Sequence, residues 1–150
     1  MEIGEPMVKR NNYMEYTILD YIPQRPPFVM VDNIVTCNED YCKTTFEVRQ
    51  DNLLLEGGTL LESGVIENIA QSCAARIGYL AIHLKMQSVR IGVIGGIKDL
   101  EIHSRPKIGD TVTTEISTVL SDFGDMSILN AKSTCNGQVI ATGEIKVALI

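Results

Sequence analysis

The chain has no tryptophan, and only 5% of its residues are aromatic, so stacking on an adenine or flavin ring has little to draw on. Its four cysteines, Cys37, Cys42, Cys73 and Cys135, make no CxxC pair and sit in no His/Cys cluster of zinc-site spacing, which argues against a structural metal. They read as free thiols of a reducing cytoplasm, with Cys73 a small buried hydrophobe among helix alanines. No apolar run reaches the roughly 18 residues of a membrane span, and the opening MEIGEPMVKRNNY lacks the apolar stretch of a secretory signal. Basic side chains are outnumbered 13 to 19, for a net charge of −6 and a pI near 4.9. A molecule that repels phosphate as a whole is a poor candidate for nucleic acid or an anionic membrane. Gly57-Gly58 is not followed by Lys or Ser/Thr in P-loop spacing, so nucleotide binding is not indicated either.

What is present is ordinary for a globular protein: 150 residues, 45% apolar and 21% charged, enough for one domain over 1–150 with a real core and a loose start at 1–14. Tyr16 to Tyr21 predicts a short helical turn stopped by Pro23. Phe28 to Val35 reads as a strand, paired with Thr44 to Val48 across a turn at Asn38-Glu39-Asp40. A long helix follows in GGTLLESGVIENIAQSCAARIGYLAIHLK, where Thr59 and Glu62 have the form of a capping box. Its apolar positions (Leu61, Val65, Ile66, Ile69, Ala70, Cys73, Ala74, Ile77, Ala81) recur at helical spacing and are unusually small, which lets a second layer approach closely.

Beyond Met86 the pattern turns to strands: Ser88 to Ile94 and Leu100 to Ile102 with a bend or bulge at Gly95-Gly96, a turn over 105–110, and Thr111 to Leu120. A hairpin turn is expected at Phe123-Gly124-Asp125, then Met126 to Cys135 and Val139 to Ile150 around Asn136-Gly137, a strong type I′ signal. One helix of about 25 residues, roughly 37 Å long, needs a large curved sheet to cover it. The fold class is α+β, one long central helix wrapped by a curved antiparallel sheet of five to seven strands.

Three segments, in order, carry a family resemblance: PQRPPFVMVDNIV, GVIENIAQSCAARIGY and IGGIKDLEIHSRPKIGDTVTTEI. Together they resemble the hotdog-fold β-hydroxyacyl-(acyl carrier protein) dehydratases, and more closely a divergent aryl-polyene-cluster-like branch. The resemblance covers most of residues 20–150. It implies loss of water from a 3-hydroxyacyl thioester, with a histidine as base and a helix carboxylate as acid, drawn from two subunits of a dimer. It further implies no cofactor, the substrate being carried on the phosphopantetheine of acyl carrier protein or coenzyme A, and a homodimer or a heterodimer with another hotdog protein. Backbone N–H groups near the start of the central helix would polarise the thioester carbonyl.

Carried over by residue, Glu67 occupies the acid position, while Gln24 stands where the family has its histidine. An amide cannot take up a proton near neutral pH, so activity of the chain alone is in question. Gln71, one turn beyond Glu67, together with Arg25, Gly64, Gly95 and Gly96, is carried over as substrate-binding. Neither histidine replaces the base easily: His83 lies about 24 Å along the helix from Glu67 and on nearly the opposite face, and His103 flanks a strand.

Plainer readings stand beside these. Glu67 also fits an exposed helix glutamate, Gln24 a loop residue, Arg25 an anchor of its own turn, Asp32 a strand-end partner, and Lys98, Arg105 and Lys107 scattered surface charge instead of a basic lip for an acidic carrier protein. Three functions follow: the His-lacking partner in a dehydratase heterodimer, an acyl-thioesterase using Glu67 with a nearby amide, or a non-catalytic acyl-binding subunit.

Overall fold

The computed structural model describes residues 9–10, 14–84, 92–123 and 126–149. In chain order they form β1 (Lys9–Arg10) and β2 (Met14–Glu15), a 3-10 turn (Ile18–Asp20), β3 (Asn33–Cys37), β4 (Tyr41–Glu47), β5 (Leu55–Glu56), β6 (Thr59–Leu60), α1 (Glu62–His83), β7 (Gly92–Ile102), β8 (Thr111–Phe123), β9 (Met126–Cys135) and β10 (Gln138–Leu149). β1 and β2 pair antiparallel, so part of the segment expected to be loose has a partner.

Six strands make one antiparallel sheet in the order β3-β4-β8-β9-β10-β7, within the expected five to seven. Alternation decides which side faces inward. In β4, Cys42, Thr44 and Phe46 are buried between half-buried neighbours, and in β8 Val112, Thr114 and Ile116 do the same. These side chains, with Leu129, Ala131, Ile145 and Val147, meet Val65, Ile69 and Cys73 of α1 in one core. The result is one long helix, α1, held in the curve of the six-stranded sheet.

Several expected boundaries move, each for a local reason. Phe28 to Asp32 is not strand; β3 begins at Asn33. The main-chain groups of Phe28 and Met30 are taken by side chains of α1 and so are not free for a ladder. The capping box is absent, because Leu61 is the N-cap and no side chain caps it. Gly57 and Gly58, at φ +61° and +79°, fold β5 back on β6. That draws Thr59 into a hairpin, where its hydroxyl donates to Glu56 O at 3.0 Å.

The helix spans 22 residues, and its expected end at Lys85 lies outside the described residues. The two strands expected on either side of Gly95-Gly96 are one strand, β7, whose register with β10 shifts between Val147 and Lys146, opposite Ile94 to Gly96. Residues 88–91 and the expected turn residues Gly124-Asp125 fall outside the described residues, while Phe123 pairs with Met126. Asn136 and Gly137 both have positive φ, 53° and 76°, as a type I′ turn requires.

One close approach fixes the helix against the preceding segment. A Cβ built on Gly78 would lie 2.1 Å from the carbonyl oxygen of Tyr21, a backbone atom that cannot swing away. Gly78→Ala is therefore expected to destabilise the protein by about 1–3 kcal/mol through overpacking, despite the better helix propensity of alanine. Gly96→Ala, where nothing lies within 4 Å, should stay within about 0.5 kcal/mol of the parent. Thermal or urea unfolding of the two variants checks the contrast.

Candidate active site

The site is built by polar residues of α1 that a purely apolar core would not contain. Asn68, Gln71, Ser72 and Arg76 are all buried. Thr114 Oγ1 donates to Asn68 Oδ1 at 2.6 Å and shares a 2.7 Å bond with Ser133 Oγ, while Thr44 and Ser72 hydroxyls meet at 2.8 Å. These contacts tie the helix to β4, β8 and β9 and fix its rotation about its own axis.

With that rotation fixed, two amides reach the segment before β3. Gln71 Oε1 accepts from Met30 N at 2.6 Å, and its Nε2 donates to Phe28 O at 2.8 Å. Asn68 Nδ2 donates to Met30 O at 2.7 Å. The helix thus supplies the hydrogen bonds that a neighbouring strand would, and residues 28–30 lie across it.

Gln71 has a second duty. Its Nε2 also donates to Glu67 Oε2 at 2.7 Å, one turn earlier on the helix. This leaves Glu67 Oε1 without a protein hydrogen bond among the described residues. Glu67 is half-buried and lines a cavity of about 520 Å³. The cavity runs along the small-residue face of α1, past Ala70, Ala74, Gly78 and Ala81, and is covered by residues 19–25.

Gln24 and Arg25 line the same cavity as Glu67 within one chain. Gln24 Oε1 is a buried acceptor with no hydrogen-bond partner among the described residues. Arg25 Nη1 donates to Ile22 O at 2.8 Å and Gln24 O at 2.7 Å, anchoring its own turn at the cavity rim. The strand residues that reach the cavity are Gly92 and Ile94 of β7, not Gly95 and Gly96, which are exposed on the bulge beyond. Gly64 is buried outside the lining; its N–H donates to Leu61 O at 2.9 Å, and a Cβ there would meet the Leu60 side chain at 2.5 Å. A carbonyl-polarising N–H at Gly64 is therefore already engaged in the first turn of the helix.

The remaining candidates are structural. The Asp32 carboxylate accepts from Glu47 N at 2.7 Å and forms a bidentate pair with Arg49, at 3.1 and 2.9 Å. Arg105 donates to Leu60 O and Glu56 O, fastening β5 and β6 instead of offering a docking lip. His83 is bonded to the Tyr21 hydroxyl at 2.6 Å, and His103 is exposed beside Glu101; neither lines the cavity. Among the described residues, no three His, Cys, Asp or Glu side chains converge as metal ligands, and no helix is long and apolar enough to cross a membrane.

A family model described as ApeP-like, ApeP dehydratase, matches residues 16–149. The chain belongs to the ApeP-like dehydratase family. Curated relatives include the 3-hydroxyacyl-[acyl-carrier-protein] dehydratase FabZ of Ruminiclostridium cellulolyticum, 25% identical over 88% of this chain and 94% of that protein. FabZ of Clostridioides difficile is 27% identical over 86% of this chain and 92% of its own length. The fold is similar to a chain of the dehydratase heterocomplex ApeI:P from Xenorhabdus doucetiae, with TM-score 0.78 and 18% identity over 87% of this chain and 89% of that one. It is also similar to a hypothetical thioesterase protein with coenzyme A from Streptococcus pneumoniae, with TM-score 0.62 and 13% identity over 78% and 84% of the two chains. The fold is hotdog, as the resemblance implied, and the chain is a hotdog protein of the ApeP-like dehydratase family.

The amide of Gln71 was expected near Glu67, but its two main-chain bonds were not. Replacing it with an isosteric apolar side chain, Gln71→Leu, strands Met30 N–H in a buried setting and removes the part-buried donor to Phe28 C=O. The expected cost is about 1–3 kcal/mol, read as a lower urea midpoint. Hydrogen exchange should show faster exchange at Met30 in the variant.

Proposed function

We propose that this chain is the glutamate-bearing member of a dehydratase pair acting on 3-hydroxyacyl thioesters, with the base supplied by a histidine-bearing hotdog protomer. The observation that carries this reading is the pairing at the cavity. Glu67 is held through one oxygen by Gln71 with the other free, while position 24, on the same cavity, presents an amide oxygen. Glu67 protonates the departing hydroxyl; the proton next to the thioester carbonyl goes to the partner's histidine. The apolar length of the cavity suits an acyl chain, and the pantetheine arm of acyl carrier protein or coenzyme A enters beside Arg25.

The sheet supports a two-protomer site. β7 ends the sheet, so its outer edge has no partner strand among the described residues. Val93 and Ile97 on this strand are exposed, and Gly92 and Ile94 line the cavity. A protomer added along β7 would cover the cavity from that edge. In a heterodimer, loss of the histidine from one member is tolerable, which accounts for the retained glutamate and the lost base together.

A thioesterase is the second reading, favoured by one detail. A carboxylate with a free oxygen beside a buried amide can hold and activate a water without histidine. Release of thiol from an acyl-thioester panel, abolished by Glu67→Gln, would select it.

The test uses hydration of a short enoyl thioester. The chain alone should be inactive, and its co-purified complex with a histidine-bearing hotdog protein active. Glu67→Gln in this chain should lower the rate of the complex by about 10²–10⁴-fold. An unchanged rate in that variant would overturn the proposal, as would failure to associate with any histidine-bearing hotdog protein. Gln24→His is expected to give the chain measurable activity by itself, because residue 24 already lines the cavity of Glu67.

A further inference from the structure

The face of α1 that turns away from Glu67 carries Cys73 and Arg76, and it packs beneath the tip of the β3–β4 hairpin. Cys37 and Cys42 stand directly opposite each other in that hairpin. The next pair outward is hydrogen-bonded, with Asn38 N donating to Tyr41 O at 2.8 Å. By the alternation of antiparallel ladders, Cys37 and Cys42 form the adjacent non-hydrogen-bonded pair, whose Cα atoms lie about 4.5 Å apart. That spacing is inside the range of about 4.4–6.8 Å spanned by disulfides.

The Cys37 side chain lies close enough to Cys42 to push that thiol's pKa up. Cys42 is fully buried, while Cys37 is 9% exposed and lies on the terminal strand of the sheet. A small oxidant therefore reaches Cys37 first. Arg76 closes the cluster: its Nη2 donates to Glu39 O at 2.8 Å and Thr118 Oγ1 at 3.1 Å, and its buried Nε has no partner among the described residues. The guanidinium lies close enough to favour a thiolate on Cys42, although the neighbouring Cys37 and burial together push that thiol's pKa up. Cys73, on the helix, is pushed up to about 12 by burial.

We propose that Cys37 and Cys42 are a redox-responsive dithiol, converted by hydrogen peroxide into a cross-strand disulfide. The sulfur of Cys37 attacks one peroxide oxygen; the O–O bond breaks, the thiol proton leaves with the other oxygen as water, and Cys37 becomes a sulfenic acid. Cys42 then attacks that sulfur; the S–O bond breaks, and the hydroxide leaves with the proton of Cys42 as a second water. Two electrons from the two thiols reduce one peroxide to two waters. The thiols need little movement, since they are already opposed across the ladder, and the raised pKa of Cys42 makes the reaction slow instead of forbidding it.

The experiment takes the full reduced chain, treats it with graded peroxide at a temperature where circular dichroism shows it folded, quenches it, and counts remaining thiols in denaturant. Two of the four thiols should disappear together, with the intact mass lower by two hydrogens and full recovery in dithiothreitol. Peptide mapping of the parent protein should link Cys37 to Cys42. Survival of all four thiols, or a link that uses Cys73 or Cys135, would overturn the proposal. Cys42→Ala should remove the link and leave Cys37 to over-oxidise; an intramolecular link in that variant would count equally against it.

Discussion

Everything at the cavity depends on one side-chain amide. Gln71 spends its oxygen on Met30 N and its nitrogen on Phe28 O and Glu67 Oε2. The first two bonds hold residues 28–30 across α1, and with them the preceding turn that brings Gln24 and Arg25 to the cavity. The third orients the glutamate. Scaffold and candidate acid are therefore coupled through a single buried group, and the local low dielectric makes each of its bonds costly to leave unmade. An apolar residue at 71 would pack, but it would serve neither the segment nor the carboxylate.

The helix works because its two faces are differently furnished. One carries Val65, Ile69 and Cys73 into the sheet, together with Asn68 and Ser72, whose polar groups meet Thr114 and Thr44. These hydroxyl and amide contacts add directionality that apolar packing lacks, so α1 cannot roll in its groove. The other face, Ala70, Ala74, Gly78 and Ala81, removes side-chain volume where the N-terminal segment crosses. At Gly78 the backbones come close enough that no side chain fits; elsewhere along the stripe the missing volume is the cavity itself.

Much of this was legible in the sequence, and the failures have identifiable causes. Periodicity gave the helix, the alternation of β4, β8 and β9, and the Asn136-Gly137 turn, because those signals are local. The stripe of small residues was legible as well, but its meaning was not. It was read as room for another layer to approach, and over most of its length it leaves open space. Phe28 to Asp32 has strand-like composition, yet the bonds of Phe28 C=O and of Met30 N–H and C=O go to Gln71 and Asn68, more than 35 positions later in the chain. No local window contains that information. The capping box failed for a related reason: Thr59 and Glu62 have the right spacing, but two positive-φ glycines had already committed Thr59 to a hairpin.

On the proposed reading, the amide at position 24 keeps roughly the reach of a base while giving up its proton affinity. Its Oε1 is buried and unpaired, and an acceptor left in that state costs about 1–3 kcal/mol. Whatever fills the cavity and donates a hydrogen bond there recovers that cost, so on the proposed reading Gln24 favours a bound donor, such as a substrate hydroxyl. It holds that group without taking its proton. Glu67, with one oxygen tied to Gln71, has one oxygen left for the same molecule. One acceptor and one proton donor can position and protonate a leaving hydroxyl, but neither removes a hydrogen from carbon. On the proposed reading that missing step belongs to a group outside the chain, and the edge of β7, which pairs with no further strand among the described residues and whose Gly92 and Ile94 line the cavity, is where such a group has room to enter.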